Sequence, residues 1–423
     1  MSSVRRGTQA LLLEECPLAV YTHCRAHCLN VAIVHSCDQP VIRNMLGTLK
    51  ETCNFFKYSP KRNNLLLCVI EKDSPDAKKT TLKNMCKTRW VERHEAYEVF
   101  FALVSCIMRA LEVMANERLF AGQYGDAAWS WDTDTKNKAR GLANAISSFS
   151  FIITLLTAMK CLSVLKPLSI RLQKRDLDVY EAYTNSNNVT GDLQDIPDNI
   201  EDIWTEWFDL AVTTAADVGV VPSIPRRTNQ QQHRDNVPAQ TPSDYYKRAV
   251  AIPLLDHLQS EMKTYFNPTY DAVLSSLFNL LPELIAVGDR NPDIEAALEF
   301  YENDPPSLHV IDVELLRWKR KWCSTEDADL PTSAVQTLAA CDREFFPNIH
   351  TLILILCTLP ITSAECERSF STLRRLKTYL RSTMSSERES GLALMNINYH
   401  RDINIEEVIN TFAQRQPRRL LFA

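Results

Sequence analysis

Cysteine and histidine are frequent among residues 20–40, and their side chains could bind a metal ion. Cys24 and His27 form a Cys-x-x-His pair, and four more candidate ligands lie close by in the chain: His23, Cys28, His35 and Cys37. Thiolate and imidazole groups are good zinc ligands, but structural zinc sites usually combine two close pairs at fixed spacings. No second pair follows at such a spacing. We therefore predict no metal here and interpret Cys24 and His27 as packing residues or as residues that shape a site.

The same side chains raise the alternative of a cysteine hydrolase. A nucleophilic Cys-His pair needs a third group that orients the imidazole, and no residue at a recognisable spacing supplies one. The chain has 13 cysteines without a repeating framework, and no secretion signal opens the sequence. These features predict free thiols in a reducing compartment.

Two groups of side chains have the chemistry for contact with nucleic acid. Arg89 and Trp90 could pair with phosphate and stack on bases; alternatively, Trp90 anchors one element onto another with Arg89 at its edge. The second group is the densest basic run in the chain: Arg368, Arg374, Arg375, Lys377 and Arg381. It predicts either phosphate contacts or a solvated helix face. The chain has 47 Lys+Arg and 52 Asp+Glu, so its net charge is −5. Any contact with DNA must therefore be confined to a local basic patch.

The elements that position these residues should mainly be helices. Of 423 residues, 45% are hydrophobic and only nine are glycine, so tight hairpin turns must be scarce. Apolar residues at helical spacing predict a long helix over 91–116 and further helices before and after it. Leu18–Tyr21 is the exception, since its β-branched and aromatic residues predict a short buried strand. Polar and proline-rich stretches predict exposed loops near 184–200 and 219–244.

The two most apolar stretches do not have the character of membrane spans. Ile146–Leu165 contains several serines and threonines together with Lys160, and Leu352–Leu359 is too short to cross a bilayer. Both stretches predict buried elements, and we expect no membrane partner.

The C-terminal part of the chain predicts three short amphipathic helices in series. Capping boxes at Thr362–Glu365 and Ser386–Glu389 open the first two, and Asn404 opens the third. Their apolar faces carry Phe370 and Leu373, then Leu392 and Met395, then Ile405, Val408, Ile409 and Phe412. Helices this short cannot bury such faces alone. We expect them to pack against the main body, a second copy of the chain, or both.

Three blocks of the sequence resemble the hAT family of transposases. Leu359–His400 contains the Ser-Ala-x-x-Glu-Arg-x-Phe-Ser pattern of that family's C-terminal dimerisation region, followed by a basic helix and a Leu/Asn-rich helix. The block CRAHCLNVAIV, with Cys24 and His27, is similar to the family's Cys-x-x-His element, and Thr88-Arg89-Trp90 is similar to its Thr-Arg-Trp element. Residues 225–262 are similar to a group of vertebrate proteins derived from hAT transposases.

The resemblance implies an RNase H-like core that is interrupted by a large helical insertion and followed by a dimerisation region. Active members of the family cut and join DNA with two divalent metal ions held by two aspartates and a glutamate, and Glu367 stands at the position of that glutamate. By resemblance, four residues would shape the active site: Cys24, His27, Arg89 and Trp90. Four others would serve dimerisation: Phe370, Leu373, Leu392 and Met395.

The catalytic triad is expected to be incomplete in this chain. The family's two aspartates lie upstream of the Cys-x-x-His block, and we find neither of them here, since Met1 falls near that point. One glutamate cannot hold two metal ions. We therefore predict that Glu367 is a remnant, that the chain does not cleave DNA, and that it has no cofactor; Mg²⁺ would be expected only in a complete transposase.

These inferences predict a mostly α protein with a truncated RNase H-like core at 1–94 and a helical insertion at 95–305. An hAT-type dimerisation region at 306–400 and a terminal helix and tail at 401–423 would follow. The protein is predicted to self-associate in the nucleus, with DNA and host proteins as further candidate partners. Two alternatives stay open: a fragment of an active DNA transposase, and a host regulatory scaffold that binds protein partners.

Overall fold

Helices make up all the regular structure that can be described. The computed structural model describes residues 7–19, 24–83, 90–124, 129–174, 177–225, 238–266, 271–287, 292–326, 330–359, 364–377 and 383–415. No strand occurs within these ranges, so the mostly α prediction is confirmed. The chain divides into two compact units, Met1–Thr362 and Ser363–Ala423. The sequence-based domain boundaries and the RNase H-like core stay predictions.

The first unit contains nineteen α-helices within the described ranges. They are α1 Thr8–Glu15, α2 Arg25–Ser36, α3 Pro40–Lys57, α4 Pro60–Asp73, α5 Trp90–Ala102, α6 Val104–Ala115, α7 Thr133–Ile146, α8 Phe149–Ser163, α9 Lys166–Arg171, α10 Val179–Asp198, α11 Ile200–Asp217, α12 Pro242–Tyr246, α13 Ile252–Phe266, α14 Asp271–Phe278, α15 Pro282–Val287, α16 Glu295–Phe300, α17 Ile311–Cys323, α18 Ala334–Ala339 and α19 Pro347–Thr358. A π-helix, Lys247–Ala251, joins α12 to α13, and two 3₁₀-helices lie at Glu117–Phe120 and Leu308–Val310.

The predicted strand at Leu18–Tyr21 is wrong where it can be judged. Leu18 lies in a turn and is exposed, and Ala19 is also non-helical and outside any strand, whereas Val20 and Tyr21 lie outside the described residues. A strand needs a neighbouring strand to pair its backbone groups. The described residues contain no other strand, so a strand at this position would have no partner despite its β-branched and aromatic residues.

Helix α8 is the centre of the first hydrophobic cluster. It begins at the N-cap Ser148, whose hydroxyl accepts a hydrogen bond from Phe151 N at 3.2 Å, and most of its side chains are buried. It packs against α3, α5, α7, α11 and α13. The expectation that Ile146–Leu165 is a buried element is confirmed. Within the described ranges no single helix is long and apolar enough to span a membrane, although α7 and α8 together, bent by 67°, have the length and composition for one.

The helix predicted over 91–116 is two helices. Leu103 separates α5 from α6 with backbone angles of φ −108° and ψ 11°, and its side chain is buried. α5 packs against α8 and α9, whereas α6 packs against α4 and α7. The apolar repeat continues across the break because both helices turn a face to the same core.

Residues 184–200, predicted to be an exposed loop, instead form most of α10 and the start of α11. Val189 and Leu193 are buried, and α10 packs against α13. The hydroxyls of Ser186 and Thr190 donate hydrogen bonds of 2.7 and 2.8 Å to carbonyls one turn earlier. These polar residues, which favour loops in isolation, are therefore satisfied inside a helix that tertiary packing stabilises. The second predicted loop is non-helical at 219–225 and 238–241 and gives way to α12 at Pro242; residues 226–237 lie outside the described ranges.

A second hydrophobic cluster lies among α14 to α19. At its centre Trp318 is fully buried, donates from Nε1 to Leu280 O at 2.9 Å, and meets the ring of Phe346 edge-on at 4.9 Å between centroids. Trp322, four residues later, contacts Trp318 edge-on as well. This cluster buries Leu352, Ile353 and Leu356 of α19, as expected for that apolar run.

Candidate functional site

The second unit consists of three helices in its described ranges. They are α20 Ala364–Leu376, α21 Ser386–Ile397 and α22 Ile405–Gln414. α20 and α21 pack against each other. The predicted capping residue Thr362 of α20 lies outside the described residues. At α21 the cap is Ser385, one residue before the predicted Ser386, and its hydroxyl accepts from Arg388 N at 3.4 Å.

The apolar side chains of this unit are mostly open to solvent. Phe370 on α20 is 70% exposed and Met395 on α21 is 66% exposed, whereas Leu373 and Leu392 are half-buried. Thus two of the four predicted dimerisation residues contribute nothing to a core within one chain. The other two are only partly shielded from solvent.

No hydrophobic core exists among the described residues of the second unit. Only Thr372 and Ala393 are buried there. The large exposed apolar side chains are Phe370, Leu394, Met395, Tyr399, Ile403, Ile405, Val408, Ile409 and Phe412. Isolated helices of this length are marginal in water, and exposed apolar patches of this extent mark interaction surfaces. We call these nine residues the apolar surface of the second unit.

Helix α22 begins as the sequence predicts. The Asn404 side chain accepts from Glu407 N at 3.3 Å, which is an N-cap hydrogen bond. Its face with Ile405, Val408 and Ile409 is exposed along its whole length. Exposed apolar side chains therefore occur on all three helices of the unit.

Basic side chains of α20 also lie at the surface of the unit. Arg374 and Arg375 are exposed, and Arg375 Nη2 donates to Thr372 Oγ1 at 3.1 Å. Lys377 Nζ lies 3.4 Å from Glu389 Oε2 of α21. Arg368 belongs to α20 but its side chain is not described, and Arg381 lies outside the described residues. The side chains of Arg374 and Arg375 are therefore both accessible from solvent.

The residues predicted to shape an active site are not gathered into one by the described structure. Cys24 is the half-buried N-cap of α2, and His27 is exposed on the first turn of that helix. Arg89 lies outside the described residues, and Trp90 begins α5 with a side chain that is not described. Glu367 is exposed in the first turn of α20. Within the described ranges no three His, Cys, Asp or Glu side chains are grouped so that they could hold a metal ion.

Sequence patterns gave no sign of a buried carboxylate that supports α19. Glu314 of α17 is 3% exposed, and its Oε2 accepts from Asn348 N at 3.1 Å and from Ile349 N at 3.3 Å. Its Oε1 accepts from Asn348 Nδ2 at 2.7 Å. The glutamate thus caps the N-terminus of a neighbouring helix that has no side-chain cap of its own. Burial raises the pKa of Glu314 and outweighs the three donors, which act in the opposite direction. A glutamate within an amphipathic helix looks like a surface residue in sequence, so only the packing identifies it.

Comparison with known proteins assigns the region that contains α18 to α21. Residues 326–400 match the model of the hAT family C-terminal dimerisation region. The chain is hAT-like here. This match confirms the resemblance read from the Ser-Ala-x-x-Glu-Arg-x-Phe-Ser block, and it places Phe370, Leu373, Leu392 and Met395 inside the hAT dimerisation region.

Two relatives extend the similarity over most of the chain. The human (Homo sapiens) 52 kDa repressor of the inhibitor of the protein kinase is 29% identical over 417 residues, which cover 97% of this chain and 53% of the relative. The mouse (Mus musculus) protein of the same name is 29% identical over 415 residues, with the same coverage of both chains. The chain therefore spans about half the length of these curated relatives. No solved structure matches the chain significantly.

Proposed function

We propose that this chain is a transposase-derived protein of the hAT type that associates with a second copy of itself through α20 and α21. The observation that carries the proposal is the apolar surface of the second unit, which has no core beneath it in the part of a single chain that the structure describes. Four of its nine residues, Phe370, Leu394, Met395 and Tyr399, lie within the region that matches an hAT dimerisation model, which supports a second copy as the partner. Burial of apolar side chains between two copies would stabilise helices that are too short to be stable alone.

Sedimentation velocity tests self-association directly. The purified chain is expected to show a dimer that dissociates on dilution, with a dissociation constant in the micromolar range or tighter, as for interfaces of standard size. A chain that sediments as a monomer at every concentration up to about a hundred micromolar would contradict the proposal.

The proposal includes a regulatory role in the nucleus rather than transposition. The relatives are named as repressors of an inhibitor of a protein kinase, and their similarity covers 97% of this chain. A dimeric scaffold that binds host proteins fits a helical protein of this kind. Imaging of the tagged chain in cells tests the location, and a cytoplasmic distribution would contradict it.

Strand cleavage is not part of the proposed activity. Glu367 is exposed at the start of α20, and one carboxylate cannot hold the two metal ions of a transposase. The purified chain with Mg²⁺ or Mn²⁺ is expected to leave a supercoiled plasmid intact, as is the Glu367→Gln variant. Nicking by the unmodified chain that Glu367→Gln abolishes would instead favour the alternative of a fragment from an active transposase.

DNA is a second candidate partner, proposed from Arg374 and Arg375 on α20. The double reversal Arg374→Glu with Arg375→Glu is expected to weaken binding to a DNA duplex about tenfold or more at low salt. Loss of two phosphate contacts should also reduce the slope of log K against log salt by about 2. Fluorescence anisotropy across a salt series measures both quantities.

A matched control reverses two exposed lysines of the first unit, Lys50→Glu with Lys57→Glu on α3. This control has the same change in net charge. If it lowers the affinity and the slope as much as the α20 reversal does, the effect comes from net charge, and the α20 patch has no specific role.

A further inference from the structure

A cavity of about 530 Å³ lies in the first unit, and all of its lining residues belong to that unit. Its walls are the first turns of α3, the junction between α7 and α8, Pro225, and the segment from α12 through the π-helix to the start of α13. A cavity of this size is in the range of small-molecule binding sites. Residues 226–237, which follow Pro225 in the chain, lie outside the described residues and are not part of the site proposed here.

The described side chains that line the cavity carry positive charge and no negative charge. Arg248 is the only charged side chain among the lining residues, and no carboxylate faces the cavity from any of its described walls. Arg248 is exposed, and its Nη1 donates to Pro238 O at 3.0 Å, which leaves the other guanidinium donors available to a ligand. Guanidinium groups bind carboxylate and phosphate groups well.

Two long helices begin at the cavity wall. α3 starts at Pro40 behind Gln39, and α8 starts behind Ser148. The amide groups at a helix N-terminus carry partial positive charge, which reinforces the charge of Arg248. At α8 the Ser148 hydroxyl caps the helix, whereas at α3 Gln39 makes no side-chain capping hydrogen bond.

Gln39 also has a donor without an acceptor. Its Nε2 nitrogen is buried and has no hydrogen-bond partner among the described residues. A buried amide donor left unpaired destabilises the fold by about 1–3 kcal/mol. Gln39 lines the cavity, so rotation of its side-chain amide toward the cavity would let a ligand oxygen accept from this donor.

The π-helix places Arg248 in the wall. Segments of π-helix are rare and occur frequently at functional sites, because the wider turn displaces side chains from ordinary helical positions. Lys247–Ala251 is such a segment, and Arg248, Ala249 and Val250 all line the cavity. The wall is held by Tyr246, which is buried and donates from its hydroxyl to Ser223 O at 3.0 Å.

The remaining lining residues indicate which uncharged group the ligand would carry. Phe151, Tyr245, Met45 and Val250 present apolar and aromatic surface. We propose that this cavity binds a small organic anion, in which a carboxylate or phosphate monoester faces Arg248 and Gln39 and an aromatic or aliphatic group packs on the apolar lining. This site is independent of the proposed self-association.

Calorimetric titration of the full chain with phenyl phosphate and with benzoate tests the site. At least one of them is expected to bind in a 1:1 ratio, and the tighter of the two identifies the preferred anionic group. Benzyl alcohol, which keeps the ring and lacks the charge, and inorganic phosphate, which lacks the ring, are each expected to bind at least about tenfold more weakly. Arg248→Gln should weaken binding of the preferred anion by a factor of about ten or more.

Two further variants separate a binding effect from a folding effect. Ala145 lines the cavity and is itself exposed, so Ala145→Trp should block the cavity without disturbing the core and should abolish binding. Arg320→Gln, at an exposed site on α17, removes the same charge elsewhere and should leave binding unchanged. Absence of saturable binding for both anions overturns the proposal. So does binding that survives both Arg248→Gln and Ala145→Trp, or binding that benzyl alcohol matches.

Discussion

Replacing Phe370 and Met395 together by glutamate is expected to weaken self-association at least about 100-fold. Truncation of a hot-spot residue at the centre of an interface costs about 2 kcal/mol or more, which is about thirtyfold in affinity. A glutamate adds the cost of removing a charge from water when the two copies meet. Both side chains are mostly exposed in the single chain, so the fold of the monomer should survive the change.

Sedimentation equilibrium gives the dissociation constant, and circular dichroism checks that the helices are retained. Leu119→Glu is the matched control, because Leu119 is 73% exposed on the first unit and lies outside the hAT dimerisation region. If the double variant dimerises as tightly as the unmodified chain, then α20 and α21 do not form the interface. If Leu119→Glu weakens the dimer equally, the surface that matters lies on the first unit.

The second large effect is expected at Glu314. Glu314→Ala leaves the amides of Asn348 and Ile349 without their acceptor in the interior and leaves a small cavity beside them. The expected loss is about 3 kcal/mol in the free energy of unfolding. Hydrogen exchange measured by mass spectrometry should show the loss first at the N-terminal turn of α19.

The pH dependence at this position follows from the raised pKa of Glu314. The folded state holds the carboxyl proton more tightly than the unfolded state does. The contribution of Glu314 to the free energy of unfolding is therefore greatest below the unfolded pKa of about 4.3 and falls as the pH rises through the raised folded pKa. Glu314→Gln does not titrate, so the stability of the unmodified chain relative to this variant should decrease between acidic and neutral pH.

Urea unfolding at several pH values measures this difference. Glu344→Ala is the control, since Glu344 is an exposed glutamate shortly before α19, and it should change the free energy of unfolding by less than about 0.5 kcal/mol. A difference between the unmodified chain and Glu314→Gln that stays constant with pH, or one that grows toward neutral pH, would show that Glu314 does not have a raised pKa.

Local signals in the sequence were sufficient where a helix depends mainly on its own residues. The apolar spacing of α22 and its Asn404 cap were both predicted, and the structure confirms them. At α21 the cap moved by one residue, from Ser386 to Ser385, because either serine can cap a helix there. The block around Glu367 was enough to identify the hAT dimerisation region, since its residue types match that family's pattern at the same spacings.

Prediction failed where distant packing determines local structure. The asparagines, serines and threonines of 184–200 favour a loop by themselves, yet burial of Val189 and Leu193 beneath α13 makes the segment helical. The prediction of a strand at Leu18 failed because the described part of the tertiary structure supplies no partner for it. Its composition is suitable, but a strand is stable only when another strand pairs with it.

By itself, the sequence determined the helical class, the amphipathic faces of the C-terminal helices and the resemblance to hAT transposases, because propensity, spacing and motif are properties of neighbouring residues. Only the tertiary structure decided which apolar residues find a core. It buried Trp318 and left Phe370 and Met395 in solvent, although all three lie on helices with apolar faces. It also brought Glu314 to Asn348 and placed Arg248 and Gln39 in the wall of one cavity, although the residues of each pair are far apart in the chain. Such contacts depend on how helices pack, and that is set by the whole core.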